Sequence, residues 1–203
     1  MADLLALERQ LWQAGFQTLA GVDEAGRGAL FGPVVAAAVV LDPSRDLSGY
    51  RDSKTLPEGA RERLFHRLAA EGHRFATGMA EASEIDGSDI LKASLRAMSR
   101  ALEALGPPPP DFVLVDGPHL PLVHCPGRAV VHGDALSATV AAASIVAKVT
   151  RDRLVREYDR LYPGYGLGRH KGYATQEHLE ALRRLGPTPL HRRTFRGVGG
   201  ETG

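Results

Sequence analysis

Four acidic side chains stand at the ends of apolar segments, where a buried strand would not tolerate a charge. Asp23 and Glu24 end one such segment, and Asp116 ends a second. Asp134 follows a short β-compatible run and precedes a long helical stretch. Open α/β sheets build their sites beyond the carboxyl ends of strands, where three of these positions lie. The pattern therefore predicts that the four carboxylates converge on one site.

Each carboxylate also has a simpler explanation when taken alone. Asp134 could cap the helix that follows it, and Asp116 precedes a Gly-Pro pair, so it could belong to a turn. The adjacent Asp23 and Glu24 would point to opposite faces within a strand. At a strand end, however, the chain bends and both side chains can reach one site.

A converged cluster of carboxylates has a defined chemistry. Two like charges about 4 Å apart repel by about 4 kcal/mol at an effective dielectric constant near 20, so the cluster requires protonation or bound cations. Oxygen ligands without a neighbouring set of Cys or His favour Mg²⁺ or Mn²⁺ over zinc. Two such ions roughly 3.5–4 Å apart can activate water and stabilise the leaving 3′ oxygen of a phosphodiester. The residues thus predict metal-dependent cleavage of a nucleic-acid backbone.

The elements that must position these side chains are strands mixed with helices. Short apolar runs predict strands, and apolar residues at helical spacing predict helices. The expected fold is an α/β domain with a mixed sheet of about five strands flanked by helices. The predicted strands are 18–23, 33–41, 73–80, 112–116 and 129–132, and the predicted helices are 4–12, 57–71, 85–105, 135–161 and 175–185.

Length and composition limit the organisation of the chain. Its 203 residues suit one domain with a small appendage. We expect a catalytic domain over 1–160, a helical substrate-binding lobe over 161–196, and a glycine-rich disordered tail over 197–203. The single cysteine, Cys125, excludes an internal disulfide and fits a cytoplasmic location. The sequence shows no signal peptide and no apolar run long enough to span a bilayer.

The net charge of +1 conceals an uneven distribution. Residues 145–203 contain 12 Lys+Arg against 6 Asp+Glu, whereas residues 1–144 contain 13 against 18. A basic C-terminal third suits a polyanionic partner. The alternative is that these charges simply form the solvated face of a helix.

A longer ordered series of motifs resembles bacterial ribonuclease HII. The likeness extends from about residue 21 to residue 195, with its motifs in the family's order. A lone Asp-Glu pair would be a weak signal, whereas the complete series is very specific. The matching strings are GVDEAGRG at 21–28, FGPVVAAA at 31–38, DSK at 52–54, VDG at 115–117, GDA at 133–135, AASIVAKVTRD at 142–152, YP at 162–163, YG at 165–166, HKGYAT at 170–175 and HRRTF at 191–195.

The resemblance implies a ribonuclease H-like fold and endonucleolytic cleavage of RNA in RNA–DNA hybrids. It also implies nicking on the 5′ side of a single ribonucleotide embedded in duplex DNA, with 3′-hydroxyl and 5′-phosphate products, and a role in ribonucleotide removal. The family's metal-binding carboxylates correspond to the same four residues, Asp23, Glu24, Asp116 and Asp134.

Recognition of one ribonucleotide requires a group that reads the 2′-hydroxyl. Gly26 and Gly28 would let the backbone approach a sugar closely, and Arg27 could reach a phosphate. In the family, this loop and the tyrosine that matches Tyr173 read the ribonucleotide junction. A plain turn and a packed surface aromatic are the simpler alternatives.

Basic residues within the matched strings are candidate phosphate contacts. Lys148 lies nearly four helical turns beyond Asp134, so we expect it to lie away from the metals and towards the DNA backbone. The full set of candidates is Lys54, Lys148, Lys171, Arg192 and Arg193.

Alternative functions make different predictions from this one. Ribonuclease HIII normally carries an extra N-terminal domain, for which the roughly 20 residues before Gly21 leave no room. A junction resolvase or exonuclease would not need a 2′-hydroxyl reader, and a non-catalytic hybrid-binding protein predicts a broken carboxylate set. We expect a monomer that binds nucleic acid but no membrane. The tail 197–203 has no aromatic pair, so we expect no sliding-clamp contact through it.

Overall fold

A computed structural model describes residues 3–198 of the chain. Its five strands form one mixed sheet in the order β3-β2-β1-β4-β5. The β1–β2 and β2–β3 pairs are antiparallel, whereas β1–β4 and β4–β5 are parallel. The predicted α/β class with a five-stranded mixed sheet is therefore confirmed. The strands are β1 (Leu19–Ala25), β2 (Val34–Val40), β3 (Arg74–Ala80), β4 (Phe112–Asp116) and β5 (Gly127–Val130).

Helices cover both faces of the sheet. One predicted helix, 85–105, is divided at Gly87, because Asp89 accepts a hydrogen bond from the Lys92 amide and caps a new helix there. The predicted helix 135–161 likewise begins later, with Ser137 as its cap. The helices are α1 (Ala6–Gln13), α2 (Glu58–Ala70), α3 (Ala82–Asp86), α4 (Ile90–Ala104), α5 (Ala138–Leu161), α6 (Leu167–His170) and α7 (Gln176–Leu185).

The apolar strand β2 is buried on both faces because each face has its own helical layer. Ala37 and Val39 pack with α2 and α5, whereas the alternating Ala36 and Ala38 pack with α4. The alanine-rich start of α5 lies very close to β1. A Cβ added to Gly21 would lie 2.3 Å from the Thr139 carbonyl carbon. Small side chains therefore allow the helix to approach the sheet beside the candidate site.

The C-terminal segment packs against the preceding part of the fold through a separate apolar cluster. Phe31, Val155 and Leu167 are buried in it, together with Val198. Gly197 and Val198 are thus placed against the fold, which contradicts the prediction that the tail is disordered from residue 197. Residues 199–203 of that predicted tail lie outside the described residues. Among residues 3–198, none of the helices is sufficiently long and apolar to cross a bilayer.

Candidate active site

Three aspartates from separate segments meet at one edge of the sheet. Asp23, Asp116 and Asp134 each offer a carboxylate oxygen, and the three oxygens lie within 4.8 Å of one another. Asp23 and Asp134 are buried, and Asp116 is partly buried. The parallel neighbours β1 and β4 bring Asp23 and Asp116 to the same edge. The predicted convergence therefore holds for these three carboxylates.

Glu24 lies apart from the three aspartates. The strand β1 does not end at Asp23 but continues to Ala25, so consecutive side chains still point to opposite faces of the sheet. Asp23 shares the face of α5, whereas Glu24 shares the face of α4 and contacts Arg27, with 3.3 Å between Oε1 and Nη1. Both acidic residues still line one cleft of about 250 Å³. Glu24 thus reaches the rim of the cluster from the opposite side.

Local backbone structure holds the other two aspartates in place. The Gly133 amide donates to Asp116 Oδ1 at 2.6 Å, which links the end of β4 to the turn that carries Asp134. That turn is a short 3₁₀ segment, Gly133–Ala135, and it follows His132, which has a φ of 57°. Asp134 is therefore not the helix cap that its position also suggested, because Ser137 caps α5.

Burial and mutual repulsion make the cluster electrostatically unfavourable without a cation. Burial, followed by the charges of Glu24 and Asp116, raises the pKa of Asp23 well above its ordinary value. Burial is also the main reason that the pKa of Glu24 is raised, although Arg27 opposes that shift. Lys54 supplies one positive charge, because its Nζ donates to Asp134 Oδ2 at 2.7 Å. Three hard oxygen donors with surplus negative charge are a suitable ligand set for Mg²⁺ or Mn²⁺.

The loop of residues 26–28 forms the wall of the cleft beside these carboxylates. Gly26 has a φ of +92°, and a Cβ there would lie 1.9 Å from Arg151 Nε. Gly28 is exposed, and no atom lies within 4 Å of the position that its Cβ would occupy. Gly26 is therefore required by the local geometry, whereas Gly28 leaves open space above the loop. The Arg27 side chain is 44% exposed and can reach a bound phosphate.

Tyr173 and Lys148 line the same cleft as the carboxylates. The Lys148 ammonium lies 5.8 Å from the centre of the Tyr173 ring and donates to Asp152 Oδ1 at 2.8 Å. Lys148 thus lies in the cleft that also contains Asp23 and Asp116, and its orientation towards the DNA backbone stays a prediction. The helix α5 runs along the cleft rather than away from it, so nearly four turns of helix still leave its side chain at the wall.

The remaining basic candidates occupy different environments. Lys171 is partly buried, and its ammonium donates to the Gly168 carbonyl. Arg193 is exposed, while its backbone amide donates to Asp86 at 2.8 Å. Arg192 is fully buried, and its guanidinium donates to the carbonyls of Gly32 and Arg27 at 3.0 and 2.8 Å. A direct phosphate contact by Arg192 is therefore ruled out, because its buried side chain supports the loop of residues 26–28 from beneath.

Arg151 is a functional candidate that motif reading did not single out. Its buried guanidinium donates to the carbonyls of Pro33, Phe31 and Lys171, with distances of 3.0–3.3 Å. It lies directly under Gly26 and within 5.5 Å of the Tyr173 ring centre. An arginine among the charged residues of a long helix normally indicates a solvated face, so composition offered no signal for its burial.

Comparison with known proteins agrees with this geometry. The family model for ribonuclease HII matches residues 20–198. The ribonuclease HII of Nitrosococcus oceani is 55% identical over 182 residues, which are 90% of each chain. That of Desulfitobacterium hafniense is 51% identical over 195 residues, which are 96% of this chain and 75% of the relative.

Solved structures show the same architecture. The ribonuclease H2 from Pyrococcus horikoshii has a TM-score of 0.75 and 29% identity, over 90% of this chain and 95% of that chain. Bst-RNase HIII in complex with Mn²⁺ has a TM-score of 0.71 and 20% identity, over 92% and 70% of the two chains, and so shows the fold alone. From its family match and its relatives, the chain belongs to the ribonuclease HII family of metal-dependent endoribonucleases.

Proposed function

We propose that this protein nicks duplex DNA on the 5′ side of a single embedded ribonucleotide and also hydrolyses the RNA of RNA–DNA hybrids. The products would carry 3′-hydroxyl and 5′-phosphate ends. One observation carries the proposal: the cleft that contains Asp23 and Asp116 is also lined by Gly26, Arg27 and Tyr173. Carboxylates that can hold catalytic metal ions and groups that can contact a ribose thus line one cleft.

We assign the metal-holding role to Asp23, Asp116 and Asp134, with Glu24 completing the site from the rim. Two bound Mg²⁺ or Mn²⁺ ions would supply the Lewis acidity that activates water and stabilises the leaving 3′ oxygen. Backbone amides already hold Asp23 and Asp116, so their carboxylate oxygens are oriented before a cation binds. Lys54 can leave Asp134 for a substrate phosphate, since its side chain is 74% exposed.

Specificity for a ribonucleotide requires a partner for its 2′-hydroxyl. We assign this role to the backbone of Gly26–Gly28 together with the Tyr173 hydroxyl. The exposed Gly28 leaves room for a sugar, and Tyr173 is 36% exposed, so its ring can stack on the next deoxyribose. Arg27, Lys148, Lys171 and Arg193 would contact the flanking phosphates.

We further propose a monomer in the bacterial cytoplasm, where its substrate, genomic DNA, is found. The segment 161–196 would act as the substrate-binding lobe because it carries Tyr173 and much of the basic charge. We expect no sliding-clamp contact through the tail 197–203.

The test compares three duplexes of identical sequence: all-DNA, DNA with one ribonucleotide, and an RNA–DNA hybrid. With Mg²⁺ or Mn²⁺, we expect a nick 5′ of the single ribonucleotide and multiple cuts in the hybrid, both abolished by EDTA. Cleavage of the hybrid alone would indicate a ribonuclease HIII-like activity. Nicking of all-DNA duplex, or nicking that survives EDTA, would refute the proposal.

Variants separate the catalytic carboxylates from general charge effects. Asp23→Asn should abolish cleavage while duplex binding persists, because it removes a charged ligand but preserves the side-chain shape. Glu103→Gln is the matched control, since Glu103 is an exposed carboxylate on α4 outside the cleft. Equal loss of activity in both variants would count against the assigned site.

A further inference from the structure

Two buried histidines face each other behind Tyr173. His178 is 0% exposed and His191 is 1% exposed, and their Nε2 atoms lie 3.1 Å apart. His178 belongs to α7, whereas His191 lies in the segment that follows this helix. The pair is outside the carboxylate cluster and cannot contact a substrate directly.

The neighbours of the two rings determine where their protons lie. The Thr188 amide donates to His191 Nδ1 at 3.0 Å, so that nitrogen carries no proton. The Tyr173 carbonyl lies 3.0 Å from His178 Nδ1 and can only accept, so that nitrogen is protonated. With both rings neutral, His191 Nε2–H donates to the bare Nε2 of His178. The result is a continuous chain of hydrogen bonds from Thr188 to Tyr173, here called the histidine relay.

The histidine relay links the two stretches of chain that flank residues 29–32, the segment that follows the loop of residues 26–28. Ala29 pairs with Tyr173 as an isolated antiparallel bridge, and Phe31 pairs with His191 in the same way. The segment 29–32 therefore lies between the stretch that contains Tyr173 and the stretch that contains His191, which the relay joins. A change in the relay would move Tyr173 relative to the loop that it faces.

We propose that His178 and His191 are positioning residues for substrate recognition, whose neutral relay fixes the Tyr173 main chain and thereby the orientation of its ring in the cleft. The inference rests on the proposed function insofar as Tyr173 reads the ribonucleotide junction. Neither histidine touches the reacting atoms, so both act through Tyr173.

An added proton disrupts this arrangement. On His178 Nε2 it would face the Nε2–H of His191. On His191 Nδ1 it would displace the Thr188 amide and leave the Thr188 hydroxyl oxygen, 2.9 Å away, as the acceptor. The titratable and charged neighbours do not compensate: His170 stacks on His178 at 4.5 Å, the Tyr165 ring lies 5.2 Å from His191, and the Arg193 charge disfavours a second cation.

The pKa shifts of the two rings have the same direction. Burial, with smaller effects from His178 and Arg193, lowers the pKa of His191 to about 4. Burial likewise lowers the pKa of His178, although the Tyr173 carbonyl opposes the shift. Both rings therefore stay neutral near pH 7, and acid disrupts the relay.

The decisive variants alter one end of the relay at a time. His178→Ala removes the side-chain donor to the Tyr173 carbonyl and leaves only the Thr175 amide on it, whereas His178→Asn keeps an N–H near the position of Nδ1. The matched control is His73→Ala, which deletes another buried histidine that accepts from the Asp42 amide, at the far end of β3. Tyr173→Ala reports the effect of losing the reader itself.

Two measurements are made on each variant. The first is the ratio of kcat/KM on the single-ribonucleotide duplex to kcat/KM on the hybrid, in which effects on the metal site cancel. We expect His178→Ala to lower this ratio by about five- to tenfold, His178→Asn to restore most of it, and His73→Ala to leave it unchanged. The second is the NMR signal of the ¹³C-labelled Tyr173 ring, which should shift in His178→Ala and, in wild type, as the pH falls towards about 4.

The outcomes separate the two proposals. An unmoved Tyr173 signal in His178→Ala overturns the relay, whatever the activity shows. An unchanged substrate ratio in His178→Ala, while Tyr173→Ala lowers it, also overturns the relay but keeps the proposed function. If Tyr173→Ala itself leaves the ratio unchanged, the reader role fails, and the positioning role in recognition fails with it.

Discussion

A single methyl group added at Gly26 should be far more damaging than the same group added at Gly28. At Gly26 the φ of +92° strains any L residue by about 1–3 kcal/mol. The new Cβ would also lie 1.9 Å from Arg151 Nε, so the buried guanidinium must move and give up at least one hydrogen bond. Hydrogen bonds to charged groups contribute about 1.5–3 kcal/mol each, so Gly26→Ala should destabilise the fold by about 2.5–6 kcal/mol. Gly28→Ala meets no atom within 4 Å and should change stability by less than about 0.5 kcal/mol.

Urea unfolding monitored by circular dichroism measures both variants against wild type. Activity on the three duplexes then separates folding from recognition. Gly28→Ala should remain as stable as wild type but lose cleavage of the single-ribonucleotide duplex if its open space admits the sugar. Equal stability losses in the two variants, or a Gly26→Ala variant within about 0.5 kcal/mol of wild type, would refute this reasoning.

Other perturbations test the packing beneath the site. Gly21→Ala places a Cβ 2.3 Å from the Thr139 carbonyl carbon, so thermal unfolding should show a loss of about 3 kcal/mol or more. Glu8→Ala removes the buried acceptor of the Ser137 hydroxyl at 2.5 Å and should cost about 2–4 kcal/mol, which Glu8→Gln should partly restore. Acid should also destabilise the fold through His191, whose folded pKa of about 4 lies below the ordinary 6.5. The unfolded chain binds the extra proton between these values, so the free energy of unfolding should fall by up to about 3 kcal/mol as pH drops through that window, and His191→Asn should flatten the fall.

Most strands were predictable because each is a short apolar run bounded by glycine, proline or charge. The order of the strands was not, because pairing depends on contacts between residues far apart in sequence. The division of the helix 85–105 had a local signal, since Gly87 and Asp89 together end one helix and cap the next. The late start of α5 also had a local signal, because Ser137 is a good cap, but the helix-compatible Ala135 and Leu136 before it masked the boundary.

The site was only partly accessible from the sequence. Asp23, Asp116 and Asp134 follow the strand-end rule, and the structure brings them together. The position of Glu24 depended on whether β1 stops at Asp23 or continues to Ala25, a difference of two residues at the least predictable part of any strand. Arg192 could not be predicted as buried, because the carbonyls that accept from it are 160 and 165 positions away.

The segment 29–32 links the loop of residues 26–28 to the C-terminal segment, so the proposed recognition role depends on both. Its backbone exchanges hydrogen bonds on both sides: the Leu30 amide donates to Gly172, and the Arg192 amide donates to Leu30. The buried Arg192 then ties the Arg27 carbonyl to the same assembly. These contacts join the loop of residues 26–28 and the segment after it to stretches about 140 and 160 residues later. The loop therefore depends on the C-terminal segment for its shape. The proposed substrate-reading surface is therefore built jointly, whereas the three aspartates are held by the sheet, the turn before α5 and Lys54.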